Sequence, residues 1–135
     1  MFTGASISLE ARRRRPGGHI AERAELADIS FSKLADLSSP VLLQTCAMGK
    51  TLPKAKIELF RADGKGSRVR YFEIELENVL ISLVKPHLGG ADSYLTENVN
   101  LTYSKIKWKY TQQKIGGGPG GATVGGWDLA SNKIA

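Results

Sequence analysis

The feature that most constrains the fold is a long β-prone stretch, residues 68–84, in which the apolar side chains change parity. They occupy even positions before Asn78 and odd positions after it. Because side chains in a strand alternate strictly between two faces, this change indicates a bulge or sharp bend within one strand. Residues 99–110 show the same change at Ser104. Two long strands that switch faces predict a barrel or sandwich whose strands turn corners.

One short helix is predicted at about residues 40–48. Ser38 and Ser39 offer a hydroxyl cap, and Pro40 suits the first helical position. Gly49 is placed to close the helix in a left-handed conformation. A helix of about ten residues is marginal alone, so we expect it to lie against a sheet. Its expected packing face consists of Leu42, Leu43, Cys46 and Ala47.

The rest of the chain also favours strands, separated by loops rich in glycine, proline and charge. Residues 27–35 alternate, with Ile29, Phe31 and, as a further candidate, Leu34 as the apolar positions and Lys33 among the polar ones. Further strands are expected at residues 54–61 and 126–134, and loops at residues 12–18, 63–66, 85–92 and 116–121. The expected fold class is mainly β: an antiparallel β-barrel-like or sandwich domain with one short α-helix.

Length and composition bound the class of protein. The chain has 135 residues, of which 41% are hydrophobic and 24% charged, as in a single globular domain. Its one cysteine, Cys46, excludes an intramolecular disulfide. No apolar run is long enough to span a bilayer, and no signal-peptide pattern precedes the arginines. Neither membrane insertion nor the ordinary secretory route is therefore expected.

The sequence shows no catalytic, metal-binding or cofactor-binding constellation. His19 and His87 lack a nearby histidine or cysteine partner, so no metal site is predicted. Cys46 falls near the expected helix C-terminus, where the helix dipole opposes a reactive thiolate, and a packed thiol is the better interpretation. We therefore predict neither catalysis nor a cofactor, and a small enzyme with a dispersed active site is the least favoured class.

Two charged sets alternate along predicted strands. Three glutamates share a face of the first long strand and three lysines share a face of the second: Glu73, Glu75, Glu77, Lys105, Lys107 and Lys109. Identical spacing indicates a solvated sheet face rather than acid–base chemistry, and our hypothesis is that the two sets pair across the sheet. Replacing Lys107 with Glu is therefore expected to cost stability or assembly.

The net charge of +6 permits a polyanionic partner without requiring one. The arginines at residues 12–15 could neutralise phosphates, and Trp108 and Tyr110 could stack on bases. These aromatic residues fall on the strand face opposite the lysines, whereas nucleic-acid-binding sheets present aromatic and basic residues together. A basic nucleic-acid-binding β domain is therefore the alternative function and is disfavoured.

Several segments, in order, resemble the Hcp family, the haemolysin-coregulated proteins of bacterial type VI secretion systems. Leu95-Thr-Glu-Asn-Val-Asn-Leu101 and Tyr103-Ser-Lys-Ile-Lys-Trp-Lys-Tyr110 resemble its late strands, and Gly126-Trp-Asp-Leu-Ala-Ser-Asn-Lys-Ile-Ala135 resembles its closing strand. The earlier matching segments are Ile29-Ser-Phe-Ser-Lys33 with Ser39-Pro40 and Cys46, Leu52-Pro-Lys-Ala-Lys-Ile-Glu-Leu-Phe60, and residues 71–84. The likeness covers roughly residues 26–135, and the ordered combination is more specific than any one segment.

The resemblance implies a β-barrel-like fold with one external helix. It implies that such subunits form a hexameric ring, and that rings stack into a hollow tube that carries small effectors in its lumen. A VgrG spike and contractile sheath proteins are the other partners it implies. The expected location is the bacterial cytoplasm before firing and the cell exterior afterwards, reached through type VI secretion.

The resemblance also implies how the chain is organised. Residues 1–25 are expected to form an N-terminal segment with an arginine-rich extended loop that reaches a neighbouring ring, and residues 26–135 a single Hcp-like β domain. The strands with which family members usually begin are expected to be absent. The residues expected to make subunit contacts are Arg12, Arg13, Arg14, Arg15, Gly17, Gly18, Lys105, Lys107 and Lys109.

Overall fold

The computed structural model describes residues 4–14, 23–62, 64–89, 94–114 and 119–135, and for residues 4–6, 12–14, 23–24 and 119 it describes the backbone only. Within these ranges the chain forms nine strands and one helix. In chain order they are β1 (Gly4–Ser8), β2 (Ala11–Arg14), β3 (Arg23–Leu26), β4 (Ile29–Leu34), α1 (Ser39–Met48), β5 (Thr51–Ala62), β6 (Arg68–Leu88), β7 (Leu95–Thr102), β8 (Lys105–Gln113) and β9 (Pro119–Asp128).

The chain divides into two compact units. Unit 1 comprises Met1–Leu52 and Val79–Tyr103, and unit 2 comprises Pro53–Asn78 and Ser104–Ala135. The long strand β6 contributes one part to each unit. The pairs β1–β4, β4–β7, β6–β7, β6–β8 and β8–β9 are antiparallel. The expected fold class, mainly β and antiparallel with one short α-helix, is confirmed.

Unit 1 contains a sheet with the strand order β1-β4-β7-β6. Alternate residues of its strands point into one core, as the two-residue period of a strand requires. The buried apolar residues are Ile29, Phe31, Val79, Ile81, Val99, Leu101 and Tyr103. The register sets Ile29 opposite Leu101 and Phe31 opposite Val99, so large side chains pack directly across the strands. Burying each such side chain contributes about 1.5–3 kcal/mol.

The helix α1 confirms the predicted element but not the whole of its predicted packing. Gly49 ends the helix with a φ of 64°, the left-handed conformation expected of it. Leu42 and Cys46 are half-buried, but Leu43 and Ala47 are exposed, and α1 has no fully buried residue. Only part of the predicted apolar face of α1 is therefore shielded from solvent. Apolar packing therefore holds α1 weakly.

A buried ion pair at the start of α1 supplies a polar attachment. Lys33 of β4 lies opposite Glu97 of β7, and both side chains are shielded from solvent. Ser39 Oγ donates a hydrogen bond of 2.9 Å to Glu97 Oε1, and Lys33 Nζ donates one of 3.0 Å to Asp36 Oδ1. The grouping of Lys33 with the polar positions was therefore wrong: Lys33 faces the core and Leu34 is exposed.

Burial and charge compete at Lys33. Burial works to lower the pKa of this ammonium, but the hydrogen bonds and charges of Glu97 and Asp36 outweigh it, and the pKa is raised. A raised pKa means that the ammonium stabilises the fold below its unfolded pKa, and that this contribution is lost only as the pH rises through the higher folded value. Lys33 is therefore charged at neutral pH, beside the Glu97 side chain.

Lys33→Met is expected to destabilise the fold by about 3–5 kcal/mol, because it leaves the Glu97 carboxylate buried without a countercharge. Glu97→Leu should lower the free energy of unfolding by a similar amount, because it leaves the Lys33 ammonium buried without the countercharge of Glu97. Lys33→Met combined with Glu97→Leu removes both charges and is expected to recover most of the loss. Urea unfolding of the wild type and these variants measures the effect. Single costs that simply add in the double variant would contradict the buried-pair account.

Tyr103 completes the core of unit 1 with a polar contact. Its hydroxyl donates a hydrogen bond of 3.0 Å to the carbonyl oxygen of Ala27. Burial, and to a lesser extent the negative charge of Asp28, raises the pKa of Tyr103 to about 12. The fold therefore favours the neutral hydroxyl.

Alkaline titration is expected to reveal one tyrosine that ionises near pH 12, and Tyr103→Phe should remove that phase. Because the folded pKa lies above the ordinary value of 10.0, the contribution of Tyr103 to stability is complete below about pH 10 and is lost as the pH rises towards 12. Tyrosinate absorbance measures the ionisation. Persistence of the late phase in Tyr103→Phe would show that another residue causes it.

Unit 2 contains a sheet in the order β5-β6-β8-β9. Ile74, Leu76 and Ile106 are its buried apolar residues. The parity change predicted in the first long strand is confirmed, since Asn78 has a φ of 53° within β6. The break predicted at Ser104 is also confirmed, because β7 ends and β8 begins on either side of it.

Three predicted loops are strands in whole or in part. Residues 12–14 belong to β2, residues 85–88 extend β6, and residues 119–121 begin β9. The last strand ends at Asp128, so the range of residues 126–134 predicted for it was wrong. In each case pairing with a neighbouring strand supplies ladder hydrogen bonds that outweigh the local signal of glycine, proline or repelling arginines.

Candidate assembly surface

One face of unit 2 carries charged side chains in adjacent columns, and we call it the charged face. The register of β6 with β8 sets Glu75 opposite Lys107, with the flanking glutamates and lysines in line on either side. The predicted alignment of the two sets is therefore confirmed. The charged face consists of Lys54, Lys56 and Glu58 on β5, Glu73, Glu75 and Glu77 on β6, and Lys105, Lys107 and Lys109 on β8.

The ion pairs of the charged face connect the glutamate column more closely to β5 than to β8. Lys56 Nζ lies 2.7 Å from Glu73 Oε1, and Arg70 Nε lies 3.5 Å from Glu73 Oε2. On the β8 side, Lys105 Nζ lies 3.4 Å from Glu77 Oε2. The hydrogen bond from Lys56 outweighs partial burial and lowers the pKa of Glu73, so this carboxylate is charged at neutral pH.

Two of the three β8 lysines form no ion pair within the described residues. In the part of the chain that the structure describes, Lys107 and Lys109 have no carboxylate within ion-pair distance. Lys107 instead lies against β9: its Cγ is 3.1 Å from the position that a Cβ on Gly126 would take. The Ile106 carbonyl oxygen lies equally close to that position, so a side chain at residue 126 would fit only if Lys107 and the β8 backbone moved slightly.

The aromatic residues of β8 and β9 lie on the other face of the sheet. Trp108 lies opposite Gly125, and the Trp108 ring is 3.8 Å from where a Cβ on that glycine would be. The indole nitrogens of Trp108 and Trp127 are buried and meet no acceptor among the described residues. On β8 the basic and aromatic side chains therefore lie on opposite faces, as the alternation predicted.

Two different strands form the edges of the sheet in unit 2. Among the described strands, β5 pairs only with β6, and β9 pairs only with β8. An edge strand points half of its backbone N–H and C=O groups away from the sheet, where they can pair with another chain. Val124, in the middle of β9, is 64% exposed.

Part of the β9 edge is covered by residues 129–135, which fold back on it and which we call the return segment. Asp128 donates a backbone hydrogen bond of 2.8 Å to Lys133 and accepts one of 3.2 Å from it. The Ala135 N–H donates to the carbonyl oxygen of Gly126 at 3.4 Å. Within the described chain, the edge beside Val124 has no strand partner.

The predicted arginine contacts fall on a separate two-stranded sheet. There β2 pairs antiparallel with β3 over four residue pairs, so this region is a hairpin rather than a plain loop. The backbone of Arg12, Arg13 and Arg14 is part of β2, whereas Arg15, Gly17 and Gly18 lie outside the described residues. Their part in subunit contacts stays a prediction.

Over the described ranges, no group of three or more His, Cys, Asp and Glu residues is placed to hold a metal ion. His87 lies in β6 rather than in a turn, and His19 falls outside those ranges. The described part of the chain contains no helix with the length and apolar character needed to cross a membrane.

Sequence reasoning missed two parts of this surface. Lys54, Lys56 and Glu58 alternate with apolar residues, and that alternation was the signal that β5 adds a third charged column. The return segment was missed because residues 126–134 were assigned to one strand. Asn132, which adopts a left-handed φ of 56°, is a residue type that favours such turns and was the available signal.

Lys107→Glu is expected to destabilise unit 2 by up to about 1 kcal/mol, because it sets two carboxylates directly opposite each other at Glu75. Lys107→Gln removes the charge without adding repulsion and should cost less. Adding Glu75→Lys to Lys107→Glu restores opposite charges and should recover part of the loss. Urea midpoints measure the series. Equal effects of Lys107→Glu and Lys107→Gln would show that cross-strand charge has no role.

Comparison with known proteins identifies the family. The family model for "Type VI secretion system effector, Hcp" matches residues 2–110. Protein hcp1 of Pseudomonas aeruginosa is 37% identical over 111 residues, which cover 82% of this chain and 68% of that protein. The Major exported protein of the same organism is 30% identical over 88 residues, which cover 61% of this chain and 51% of that protein.

The structural comparison agrees with the sequence matches. The crystal structure of Hcp1 from Salmonella typhimurium has a TM-score of 0.78 with this chain at 21% identity, covering 99% of this chain and 84% of that one. At this level of identity the likeness shows the fold, while the matches in sequence show the relationship. The chain belongs to the Hcp family of type VI secretion proteins.

Proposed function

We propose that this chain is a structural subunit of the type VI secretion inner tube, in which hexameric rings stack and carry small effectors in the lumen. The observation that carries the proposal is the pair of open edges, β5 and β9, on one sheet of a chain that belongs to the Hcp family. Exposed edges on a soluble protein favour pairing with other strands. Copies of the same chain are the partners that the family implies.

Two dissimilar edges favour a ring over a two-fold dimer. The hairpin β5–β6 and the antiparallel pairs β6–β8 and β8–β9 alternate in direction, so β5 and β9 run in opposite senses. β9 of one copy can therefore pair antiparallel with β5 of the next and continue the sheet. Such a contact joins two different surfaces, repeats from copy to copy, and forms a closed ring when the rotation between copies permits.

The β2–β3 hairpin is our candidate for contact between stacked rings. It forms a two-stranded sheet that pairs with no other strand among the described residues. A hairpin of this kind suits an arm that reaches a neighbouring subunit. The residues assigned to this contact are Arg12, Arg13, Arg14, Arg15, Gly17 and Gly18, and those assigned to the ring are Lys105, Lys107 and Lys109.

Export from the bacterial cytoplasm through the type VI system forms part of the proposal. Its support is the match to the family and the similarity to a Pseudomonas aeruginosa relative named Major exported protein. A VgrG spike, contractile sheath proteins and small effectors are the proposed partners. The role is structural, without catalysis or a cofactor.

Val124→Pro is expected to keep the chain monomeric while leaving it folded. Asp128 directs both backbone groups to the open edge, and Val124 shares its parity on β9, so proline there removes an outward N–H and spares the hydrogen bonds to β8. Val124→Ala keeps the N–H and should assemble as the wild type does. Native mass spectrometry over a range of concentrations measures assembly, with circular dichroism as the check on folding.

The wild type is expected to show species up to a hexamer in that experiment. A wild type that stays monomeric at every concentration would contradict the proposed function. A folded Val124→Pro protein that forms the hexamer as readily as Val124→Ala would contradict the use of the β9 edge.

A further inference from the structure

The return segment occupies the edge of β9 that a second copy needs. Asp128 and Lys133 exchange both backbone hydrogen bonds, and the Ala135 Cβ lies 3.5 Å from the position that a Cβ on Gly126 would take. In the free chain, therefore, its own residues pair with the end of β9. A strand from another copy that extends over this part of the edge has to replace them.

Most residues of the return segment are exposed. Ile134 is 77% exposed, so the segment buries little apolar surface. Its turn depends on Asn132 with a φ of 56°, and on Asp128 Oδ1, which accepts hydrogen bonds from the N–H groups of Ala130 at 2.9 Å and Ser131 at 3.3 Å. A segment with few buried contacts opens at lower cost than the sheet on which it lies.

We propose that β5 of a second copy displaces the return segment and pairs with β9 in a single register, with Lys56 opposite Asp128. The inference rests on the proposed function and specifies its subunit contact. The two competing segments are alike in sequence: Asn132-Lys133-Ile134-Ala135 and Ala55-Lys56-Ile57-Glu58 both carry Lys-Ile at the same place. Lys56 of the second copy thus takes the position that Lys133 holds in the free chain.

Side-chain alternation limits the possible registers. A shift by one residue would move the charged side chains of β5 to the apolar face, so only shifts by two are allowed. Glu58 opposite Asp128 would set two carboxylates together. Lys54 opposite Asp128 would bring Lys56 beside the unneutralised Lys107. Like charges across a strand pair are destabilising, so both of these registers are disfavoured.

Of the three registers compared, the one with Lys56 opposite Asp128 sets opposite charges together. With Lys56 opposite Asp128, Glu58 of the second copy falls opposite Gly126. Because Gly126 has no side chain and Lys107 already lies over it, the Glu58 carboxylate can reach the Lys107 ammonium. The contact therefore supplies the countercharge that Lys107 lacks among the described residues.

The charged side chains of β5 are held only by exposed ion pairs, so they can form new contacts. In the free chain Lys56 pairs with Glu73, and Glu58 accepts a hydrogen bond of 2.8 Å from Arg70. Lys56 and Arg70 are each more than 40% exposed, and exposed ion pairs of this kind are weak and rearrange readily. Lys56 and Glu58 can therefore exchange these partners for charged groups on the β9 side of a second copy.

Disulfide cross-linking tests the register, in a Cys46→Ser background that removes the one native thiol. The proposal sets Phe60 of one copy opposite Val124 of the next. Phe60→Cys with Val124→Cys is therefore expected to give covalent oligomers on mild oxidation, since directly opposed residues lie within disulfide range. Glu58→Cys with Val124→Cys is the matched control for the register shifted by two residues, and it should give little covalent product.

A second test avoids substitution of Phe60, which contacts the Arg68 guanidinium and could weaken the fold. Glu58→Lys is expected to reduce assembly in native mass spectra, and addition of Lys107→Glu should restore it. Failure of the second substitution to restore assembly would overturn the Glu58–Lys107 contact.

Displacement of the return segment has its own test. Asn132→Val strains the left-handed turn and is expected to speed cross-linking roughly fivefold relative to Asn132→Gly, which lacks the same side chain but tolerates the turn. Equal rates in Asn132→Val and Asn132→Gly would overturn displacement. Cross-linking by the control pair, in a wild type that forms hexamers, would overturn the register and leave the proposed function standing. A wild type that never assembles would overturn both.

Discussion

Every backbone N–H and C=O group at the edge of a sheet needs a partner, and in unit 2 this requirement links the fold to its proposed use. The sheet order β5-β6-β8-β9 leaves two different edges, and among the residues that the structure describes only the return segment covers part of one. A strand that belongs to another copy satisfies the same groups that water or the return segment satisfies in the free chain. Assembly then exchanges one set of backbone hydrogen bonds for another. The side chains therefore have to determine which strand pairs with the edge and in which register.

The side chains of the charged face can supply that selectivity. The β6 and β8 columns are opposite in sign, the β5 column contains Lys54, Lys56 and Glu58, and Asp128 on β9 lies in line with Gly126. Charge pairs on an exposed face add little stability each, but a wrong register sets like charges opposite one another. The columns therefore act mainly by excluding incorrect alignments. Backbone hydrogen bonds thus hold the two copies together, and the charged side chains determine the register in which their strands pair.

Much of this arrangement was predictable from the sequence because alternation is a local property. The parity change at Asn78, the helix ending at Gly49 and the alignment of Glu75 with Lys107 were predicted and are confirmed. The wrong predictions concern residues whose burial or secondary structure depends on partners distant in sequence. Lys33 looks polar in sequence but is buried because Glu97, from another strand, neutralises it. The loop signals of three segments failed likewise, because strand pairing is not visible in local composition.

Hydrogen exchange of the free and assembled chain tests the central claim most directly, because it reports on individual backbone amides. If copies join through the edges of unit 2, the outward amide of Val124 on β9 and those β5 amides that do not bond to β6 should exchange rapidly in the monomer and slowly in the ring. The buried amide of Ile106 should be protected in both states. Equally rapid exchange of the edge amides before and after assembly would contradict the account.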